Sequence, residues 1–359
     1  MRKFAAVYVL TVLVACGAAA PATAPAPADS ATLADAQSGV DSQPSADAQA
    51  TADAALPSDS ATETASGPMP SVPPPKPKDA LTVMTYNVMC SFCMNSDHPD
   101  WEQSWAARLP WLRDVFKRFD PDLMGLQEMQ AQLPTEGDVP EVDQLILPGK
   151  AYDYYHFHYK KGDDVENDYP DATVLWKKAR FDKLGEAVIW LSPTPDKPYS
   201  TGFAKIQFGR VMVWVKLHDK VKNRDFWFAS THFDNNAPSQ KLSAPLVLEK
   251  LGTLASELPL VATGDYNANP AHEAFKLLTA GTATAPPWQD TFELAKAWSL
   301  VHNQDKAPMW DPKTRIDHIF VAGKPQFTVA WWGMDLWLYG AKKQAPSDHD
   351  GAIVAYVDW

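Results

Sequence analysis

A strand, a helix and a second strand are predicted in succession between residues 81 and 128, and this order constrains the fold more than any other feature of the sequence. Leu81 to Val88 alternates as a strand does, and Trp101 to Phe119 has apolar side chains at helical spacing. Asp120-Pro121 stops the helix, and Asp122 to Gln127 is a second short strand that ends at Glu128. Because two strands joined through a crossover helix are a unit of layered folds, we predict an α/β architecture.

The rest of the chain is richer in strands, which are short, β-branched or aromatic and separated by Gly, Pro, Asp or Asn. One helix is predicted over Pro238 to Glu257, and another opens at Asn269-Pro270 and runs through Leu278. Strands in groups with helices on the outside indicate α/β layers around two sheets and not an all-β sandwich. The predicted strands are Tyr152 to Tyr159, Ala172 to Lys177, Lys183 to Leu191, Phe208 to Leu217, Arg224 to His232, Leu258 to Thr263, Arg315 to Val321, Gln326 to Trp331 and Gly351 to Val357.

The N-terminus has the pattern of an export signal. Arg2-Lys3 precedes an apolar run from Phe4 to Val14, which is too short to span a bilayer as a mature helix. The run ends in Leu13-Val14-Ala15-Cys16, which resembles the bacterial lipoprotein box and implies that Cys16 is acylated. The alternative is a signal peptide that is cleaved elsewhere and leaves a soluble protein. We therefore expect an exported lipoprotein anchored at the outer membrane or cell surface, and otherwise a periplasmic or secreted protein.

Residues 17–79 are predicted to be a disordered linker. They are mainly Ala, Pro, Ser, Thr, Gln and Asp, which bury too little apolar surface to offset the entropy of folding. As a flexible coil, this segment would hold the folded part on the order of 45 Å from the membrane. The predicted organisation is a signal peptide with lipobox over 1–16, the linker over 17–79 and one folded domain over 80–359.

The predicted domain is acidic. The whole chain carries a net charge of −12, and the part from residue 80, with 28 Lys and Arg against 36 Asp and Glu, carries −8. Such a domain is not a strong general binder of nucleic acid, because phosphates favour basic surfaces. Lys177, Lys178 and Arg180 could form a local basic stripe, although such charges more often form a solvated face.

Cys90 and Cys93 are spaced as C-x-x-C. In an exported protein a disulfide between them is the expected state, and two free thiols are the next alternative. A zinc site would require two further ligands, and only His98 lies near in the sequence.

An apolar run ends in two polar groups within Val261 to Pro270. Gly264 is expected to free the backbone for a sharp exit from the strand. Asp265 and Asn267 are two apart on extended backbone, so both side chains can face one point beyond the strand end. A carboxylate and an amide that converge there suit a metal-bound phosphate and its attacking water. Taken alone, the same residues are equally typical of a turn.

Five polar clusters fall where predicted strands end. A single cluster is typical of a turn, but five at C-terminal strand ends indicate a rim of groups around one cleft. Each member has an ordinary structural explanation by itself, whereas the set favours a functional site. The clusters are Asn87, Glu128, His232 with Asp234, Asp265 with Asn267, and Asp317 with Asp348-His349.

The segments that contain these clusters resemble the motif set of the endonuclease/exonuclease/phosphatase superfamily, from about residue 80 to the end and in the family's order. The resemblance implies a four-layer α/β sandwich, in which two mixed β-sheets pack face to face with helices on the outside. It also implies a metal-dependent hydrolase that acts on phosphate ester bonds. The motifs are Thr85-Tyr-Asn-Val88, Leu126-Gln-Glu128, Ser230-Thr-His-Phe-Asp234, Gly264-Asp-Tyr-Asn-Ala268, Arg315-Ile-Asp-His-Ile319 and Ser347-Asp-His349.

The resemblance also implies a metal site. Mg²⁺ prefers oxygen ligands, keeps several waters and often needs only one or two carboxylates plus the substrate phosphate. Glu128 is the expected principal carboxylate, with Asn87 beside it and Asp348 in the outer shell of the metal. Mg²⁺ is therefore the expected cofactor, with Mn²⁺ as a substitute.

The other site residues are assigned to the attack of water on phosphorus. The resemblance places Asp265 where a base or an orienting group for water is needed, and Asn267 at a phosphoryl oxygen. His349 would donate to the pentacovalent phosphate or handle a proton, and Asp317 would fix its tautomer. His232 is the candidate general acid beside the leaving group, although the division of acid and base roles between the two histidines stays open.

Departures from the family's pattern bear on the substrate, which we leave open between nucleic acid, phospholipid and sugar phosphate. Gln240-Lys241 stands where the secreted branch is expected to carry an arginine, and the acidic segment Lys161 to Pro170 would repel a long polyanion. The tyrosine that faces the phosphate is Tyr155 or Tyr169. A surface-binding lipoprotein that keeps the fold without turnover is the competing hypothesis. We expect a monomer with no obligate protein partner.

Overall fold

The structure is a computed structural model. It describes residues 72–91, 93, 98–129, 141–146, 149, 151–156, 171–203, 209–306 and 308–359, all within one compact unit. The predicted signal peptide, Cys16, the linker up to residue 71, the end of the strand predicted through Tyr159, the segment Lys161 to Pro170 with Tyr169, and Phe208 lie outside the described residues. Within the described ranges, no helix combines the length and the apolar character that crossing a membrane requires.

Strands and helices alternate along the described chain. Their bounds in chain order are β1 Leu81–Asn87, α1 Trp105–Phe119, β2 Leu123–Met129, α2 Glu141–Ile146, β3 Tyr152–His156, β4 Asp171–Lys177, β5 Phe181–Trp190, β6 Val211–Asp219, β7 Arg224–His232, α3 Ala237–Glu257, β8 Leu260–Asp265, α4 Glu273–Ala280, β9 Gln289–Asp290, α5 Thr291–Leu294, β10 Trp298–Val301, β11 Asp317–Ala322, β12 Thr328–Asp335 and β13 Ile353–Asp358.

The described strands form two mixed sheets. The first has the order β10-β12-β13-β1-β2-β4-β3, and the second has the order β5-β6-β7-β8-β11-β9. Strands β1 and β2, joined through α1, are parallel, and so are β7 and β8, joined through α3. Strand β13 is antiparallel to β1, and β11 is antiparallel to β8. The predicted crossover unit between residues 81 and 128 is therefore present, and a second unit of the same kind lies in the other sheet.

The two sheets pack face to face, and helices cover their outer faces. One apolar core contains side chains of both sheets, such as Val83 and Trp176 of the first and Val213 and Val261 of the second. A second core lies between the first sheet and helices α1 and α2, and a third lies between the other sheet and helices α3 and α4. The predicted four-layer α/β sandwich is confirmed.

Polar contacts join the two sheets just below the edge at which β2, β7 and β8 end. A Cβ atom on Gly125 of β2 would lie 1.9 Å from Thr263 Oγ1 of β8, so only glycine fits there. Gln127 Nε2 of β2 donates to Ser230 Oγ of β7 at 3.1 Å. The close approach fixes the carboxyl ends of the two parallel pairs relative to each other.

Several predicted bounds shift. Helix α1 begins at Trp105 and not at Trp101, because the backbone N–H and C=O of Glu102 are engaged by the side chain of Gln344. Helix α4 begins at Glu273, since the side chain of Asn269 accepts the N–H of Ala271 and holds a turn before the helix. The sequence gives no periodic signal for the short elements α2, β9, α5 and β10, and they were not predicted.

The last residues of the predicted linker contact the domain. Lys76 pairs with the buried carboxylate of Asp122 at 2.8 Å, and Tyr356 Oη donates to Pro74 O at 3.2 Å. Arg180 donates to Asp79 O at 2.9 Å. Residues 72–79 are thus tied to the edge of the domain by both charged and neutral groups.

Candidate active site

Four of the predicted site residues lie where parallel strands end. Asn87 ends β1, Glu128 is the penultimate residue of β2, and His232 and Asp265 end β7 and β8. Because each pair of strands is parallel, its carboxyl ends lie at one edge of its sheet. The packing of the sheets brings both edges together, and Asn87 Nδ2 of the first sheet donates to Asp265 Oδ2 of the second at 3.1 Å.

The prediction that all five clusters follow C-terminal strand ends is wrong for the fifth, Asp317 with Asp348-His349. Asp317 is the first residue of β11, and Asp348-His349 precede β13. These strands run antiparallel to β8 and β1, so their starting ends lie at the edge where β8 and β1 finish, and Asp317 is directly opposite Asp265 in the ladder. Antiparallel pairing therefore completes the cluster that parallel pairing begins.

Asp265 lies at the centre of the cluster. Its Oδ2 atom is 3.1 Å from Asn87 Nδ2, 3.3 Å from His232 Nε2 and 3.4 Å from His349 Nε2. Its Oδ1 atom accepts the backbone N–H of Asn267 at 2.8 Å. Burial alone would raise the pKa of this carboxyl, but the imidazoles of His232 and His349 outweigh burial and hold the pKa well below its usual range. Asp265 is therefore an anion at neutral pH.

Glu128 presents a second carboxylate beside Asp265. Its Oε1 atom accepts from Asn87 Nδ2 at 2.9 Å, and its Oε2 atom accepts the N–H of Cys90 at 3.0 Å. Burial opposes ionisation, but His232 and these two N–H groups together lower the pKa of Glu128. The residue has a φ of 62° next to a break in the β2–β4 register, a backbone conformation that is costly for glutamate. The bulge turns the carboxylate towards the site.

His349 is paired as predicted with Asp317. His349 Nδ1 donates to Asp317 Oδ2 at 2.7 Å, which leaves Nε2 to face Asp265. Burial lowers the pKa of the imidazole, but the carboxylates of Asp317 and Asp265 prevail and raise it well above its ordinary value. His349 is therefore an imidazolium at neutral pH, with its Nε2–H in the cluster.

The sequence interpretation missed Arg210. Its Nη1 atom donates to His232 Nδ1 at 2.7 Å, and both side chains are buried. Because Nδ1 accepts this bond, the proton of His232 is on Nε2, the atom that faces Asp265. A lone arginine at the start of a strand carries no local signal, and its contact depends on the pairing of β6 with β7.

The turn after β8 is made by Asn267 and not by Gly264. Asn267 has a φ of 48°, whereas Gly264 lies inside the strand, where a Cβ would meet Thr231 O at 2.6 Å. Asn267 Nδ2 donates to Phe233 O at 3.0 Å, which leaves its second amide hydrogen for another acceptor. Gln240, which stands where an arginine was expected, donates to Asn267 O at 2.9 Å and supports this turn.

Three other residues of the prediction hydrogen-bond or pack against groups other than Asp265 and Glu128. Asp234 is buried and accepts the N–H of Asn236 at 2.7 Å, so it shapes the turn before α3. Asp348 is exposed, and its Oδ1 atom accepts from Ser347 Oγ at 3.3 Å. Tyr155 packs against the core between the sheets.

The loop after β1 is closed by a disulfide between Cys90 and Cys93. Buried Arg108 donates to the carbonyl groups of Val88, Met89 and Cys90, which fixes the backbone of this loop. The loop in turn presents the Cys90 N–H to Glu128.

The oxygen atoms at this edge fit a hard divalent cation. Glu128 is ionised and only partly buried, and Asn87 Oδ1, which accepts one N–H from Met89 at 3.0 Å, keeps a second lone pair. One such carboxylate with a substrate phosphate is enough for Mg²⁺. Ligand atoms of Asp265, Asp317 and His349 also lie within 4.8 Å of one another, but the contacts of the imidazolium with both carboxylates account for that group.

The model of the Endonuclease/Exonuclease/phosphatase family matches residues 84–349, which include every motif of the cluster. The chain belongs to the endonuclease/exonuclease/phosphatase family. The family resemblance inferred from the motifs is thereby confirmed, and hydrolysis of phosphate esters is the activity class of this family. Enzymes of this family generally depend on a divalent metal.

Solved structures show the same fold. The mannosyl-6-phosphatase Bt3783 of Bacteroides thetaiotaomicron is 23% identical, with a TM-score of 0.61 over 78% of this chain and 100% of that chain. TDP2 of D. rerio complexed with single-strand DNA product is 17% identical, with a TM-score of 0.55 over 79% of this chain and 100% of that one.

Protein angel of Drosophila melanogaster, a relative found by sequence, is 24% identical over 181 residues, 49% of this chain. The chain spans about half the length of the curated relatives it matches. It covers 60% of protein L388 of Acanthamoeba polyphaga mimivirus and 47% of Protein angel.

Proposed function

We propose that this member of the endonuclease/exonuclease/phosphatase family hydrolyses a small phosphate ester by direct attack of water, with Mg²⁺ held by Glu128. The observation that carries the proposal is the meeting of Asn87, His232 and His349 on one oxygen of Asp265. Two imidazoles with their Nε2 atoms on one carboxylate, beside a second carboxylate, form an arrangement suited to phosphoryl transfer to water.

The proposed roles follow from the protonation of each group. Asp265 is a weak base because its pKa is held low, so it orients the imidazoles and a water against the phosphate instead of storing a proton. His349 is an imidazolium, and its Nε2–H stabilises charge that develops on a phosphoryl oxygen. His232 carries its proton on Nε2 because Arg210 occupies Nδ1, and we assign this N–H as the hydrogen-bond donor to the leaving-group oxygen.

Asn267 and the metal complete the proposed site. The free amide hydrogen of Asn267 donates to a second phosphoryl oxygen. When bound, Mg²⁺ polarises the phosphoryl group and offsets its negative charge. Glu128 and Asn87 would hold it, with exposed Asp348 in its outer shell.

The surface charge supports a small ester over a nucleic acid. Of the predicted basic stripe, Lys177 pairs with Asp120 at 2.8 Å and Arg180 pairs with Asp219 at 2.9 Å, so neither charge is free for a phosphate backbone. A cleft of about 270 Å³ adjoins Asp317 and His349, which is a volume suited to a group of monosaccharide size. The phosphate ester of an uncharged sugar or polyol matches these features. The fold also occurs in a mannosyl-6-phosphatase.

The catalytic proposal is tested with p-nitrophenyl phosphate and bis-(p-nitrophenyl) phosphate. Hydrolysis should require Mg²⁺ or Mn²⁺ and stop with a chelator, and His349→Ala should lower kcat by about 10²- to 10⁴-fold. His218→Ala is the matched control, because His218 also pairs with a carboxylate, Asp225 at 2.8 Å, at the opposite end of β7. Activity that survives chelation, or equal losses in the two variants, would contradict the mechanism. Metal binding without turnover of any ester would support the non-catalytic lipoprotein instead.

The substrate class is tested by comparing sugar phosphates, sphingomyelin and plasmid DNA. A small-ester enzyme should favour the first group and show little dependence of kcat/KM on salt. Plasmid nicking that weakens steeply with salt would favour the nuclease.

We also propose export and lipidation at Cys16, on the sequence pattern alone. Cys16→Ser should move the protein from the membrane fraction to the soluble fraction of the producing cells. An unchanged distribution would contradict the anchor. A monomer without an obligate partner is expected, and sedimentation measures the oligomeric state.

A further inference from the structure

The two sulfur atoms of the loop after β1 lie against the proposed metal-binding carboxylate. Cys93 Sγ is 3.7 Å from Glu128 Oε2, and one ligand atom from each of Cys90, Cys93 and Glu128 lies within 4.8 Å of the others. Cys90 is buried and Cys93 is only partly buried, so the disulfide can be reached by a reductant from the Cys93 side.

The backbone around these sulfurs is held independently of the disulfide. Arg108 binds the carbonyl groups on either side of Met89, the Cys90 N–H donates to Glu128, and the Cys93 N–H donates to Cys90 O at 3.2 Å. Opening the disulfide therefore frees the two side chains while the turn keeps them beside Glu128.

We propose that reduction of this disulfide converts the loop into a binding site for a soft divalent cation such as Zn²⁺, with Cys90, Cys93 and Glu128 as ligands. A dithiol supplies the two electrons and two protons: the Cys90–Cys93 bond breaks, two thiols form, and the dithiol becomes its own disulfide. Binding of Zn²⁺ then displaces one proton from each thiol and leaves two Zn–S bonds.

The donor set selects zinc over magnesium. Thiolates favour zinc and other soft cations, and C-x-x-C is a spacing that zinc sites use, whereas Mg²⁺ demands oxygen ligands. Zn–S bonds of about 2.3 Å in a tetrahedral site place the sulfurs about 3.8 Å apart, so the oxidised loop cannot bind zinc through both sulfurs. Three protein ligands leave the fourth position to water.

The site has a consequence for turnover that rests on the proposed function. Zn²⁺ bound to the thiolates would take Glu128 from the position that Mg²⁺ requires. The disulfide thus protects the enzyme from zinc, and the reduced enzyme should be inhibited by it.

Cobalt provides the direct test, because thiolate ligands give Co²⁺ a charge-transfer absorption that oxygen ligands do not. The full chain carrying Cys16→Ser is titrated anaerobically with Co²⁺, once oxidised and once after reduction by a phosphine. The reduced chain should bind one equivalent with that absorption, which Zn²⁺ should displace, and the oxidised chain should show none. Glu128→Gln should keep the absorption but weaken binding at least tenfold, and Cys90→Ser with Cys93→Ser should abolish it.

Two outcomes would overturn the proposal: no charge-transfer absorption in the reduced chain, or the same absorption in the oxidised chain. Inhibition is measured in parallel, and Zn²⁺ should inhibit the reduced chain at no more than one tenth of the concentration that inhibits the oxidised chain. If the chain hydrolyses no phosphate ester, the proposed function fails while the cobalt spectrum still decides the metal site.

Discussion

Replacing Asp317 by Asn isolates the charge that holds His349 protonated. The side chains are nearly identical in shape, so the variant keeps the packing at the start of β11 while it removes the anion 2.7 Å from His349 Nδ1. Asp317 is buried, and solvent therefore does little to screen the interaction that is lost. The variant should leave the fold intact and change the chemistry of the imidazole.

A hydrogen bond to a charged group contributes about 1.5–3 kcal/mol, so the variant should lower kcat/KM at neutral pH by roughly 10- to 150-fold. The sign of the pH effect follows from the direction of the pKa. The carboxylates of Asp317 and Asp265 raise the pKa of His349, so the active imidazolium persists at neutral pH and is lost as the pH rises through the raised pKa. Without one carboxylate, the imidazolium is lost at lower pH, so the alkaline limb of the kcat/KM profile should shift to lower pH.

The assay is a kcat/KM profile against pH with bis-(p-nitrophenyl) phosphate at saturating Mg²⁺. Asp225→Asn is the matched control, since Asp225 pairs with partly exposed His218 at 2.8 Å away from the cluster. The control should retain the wild-type limb. An alkaline limb that stays in place or moves up in Asp317→Asn would refute the assignment of His349 as the imidazolium.

Three further substitutions test the packing around the site. Arg210→Met removes the hydrogen bond to His232, which should cost about 1–3 kcal/mol. It should therefore lower kcat/KM by about 5- to 150-fold. The control Arg224→Met, at an exposed position of β7, should leave kcat/KM unchanged. Gly125→Ala should lower the free energy of unfolding in urea by about 1–3 kcal/mol, whereas Gly185→Ala, with open space around it, should change it little. Arg108→Met strips donors from several buried carbonyls and should cost at least about 3 kcal/mol by the same measurement; a loss below about 1 kcal/mol would contradict its role.

The fold class was predictable because its signals are local. The alternation of Leu81 to Val88 and the helical spacing before Phe119 identify a crossover unit, and the chain then pairs the two strands in parallel. Elements such as β9 and α5 were missed since two to four residues cannot show a period. They form only because the surrounding sheet and core supply the missing contacts.

Most of the site was also predictable, because polar residues that follow an apolar strand must lie at the edge of a sheet. Asn87, Glu128 and Asp265 were placed by this rule and by the resemblance to a family. Arg210 was not, since nothing in its own segment distinguishes it from a surface arginine. Its role appears only when β6 pairs with β7 and sets it against His232.

The sequence by itself determined which residue types end each strand and therefore which chemistry the edge can perform. Only the tertiary structure decided that Asn87 and Asp265, 178 residues apart, share one hydrogen bond. That contact exists because two sheets pack face to face with their strand ends aligned, and no local pattern encodes the alignment. The charge of His349 is decided in the same way, by two carboxylates that separate strands bring within reach of one imidazole.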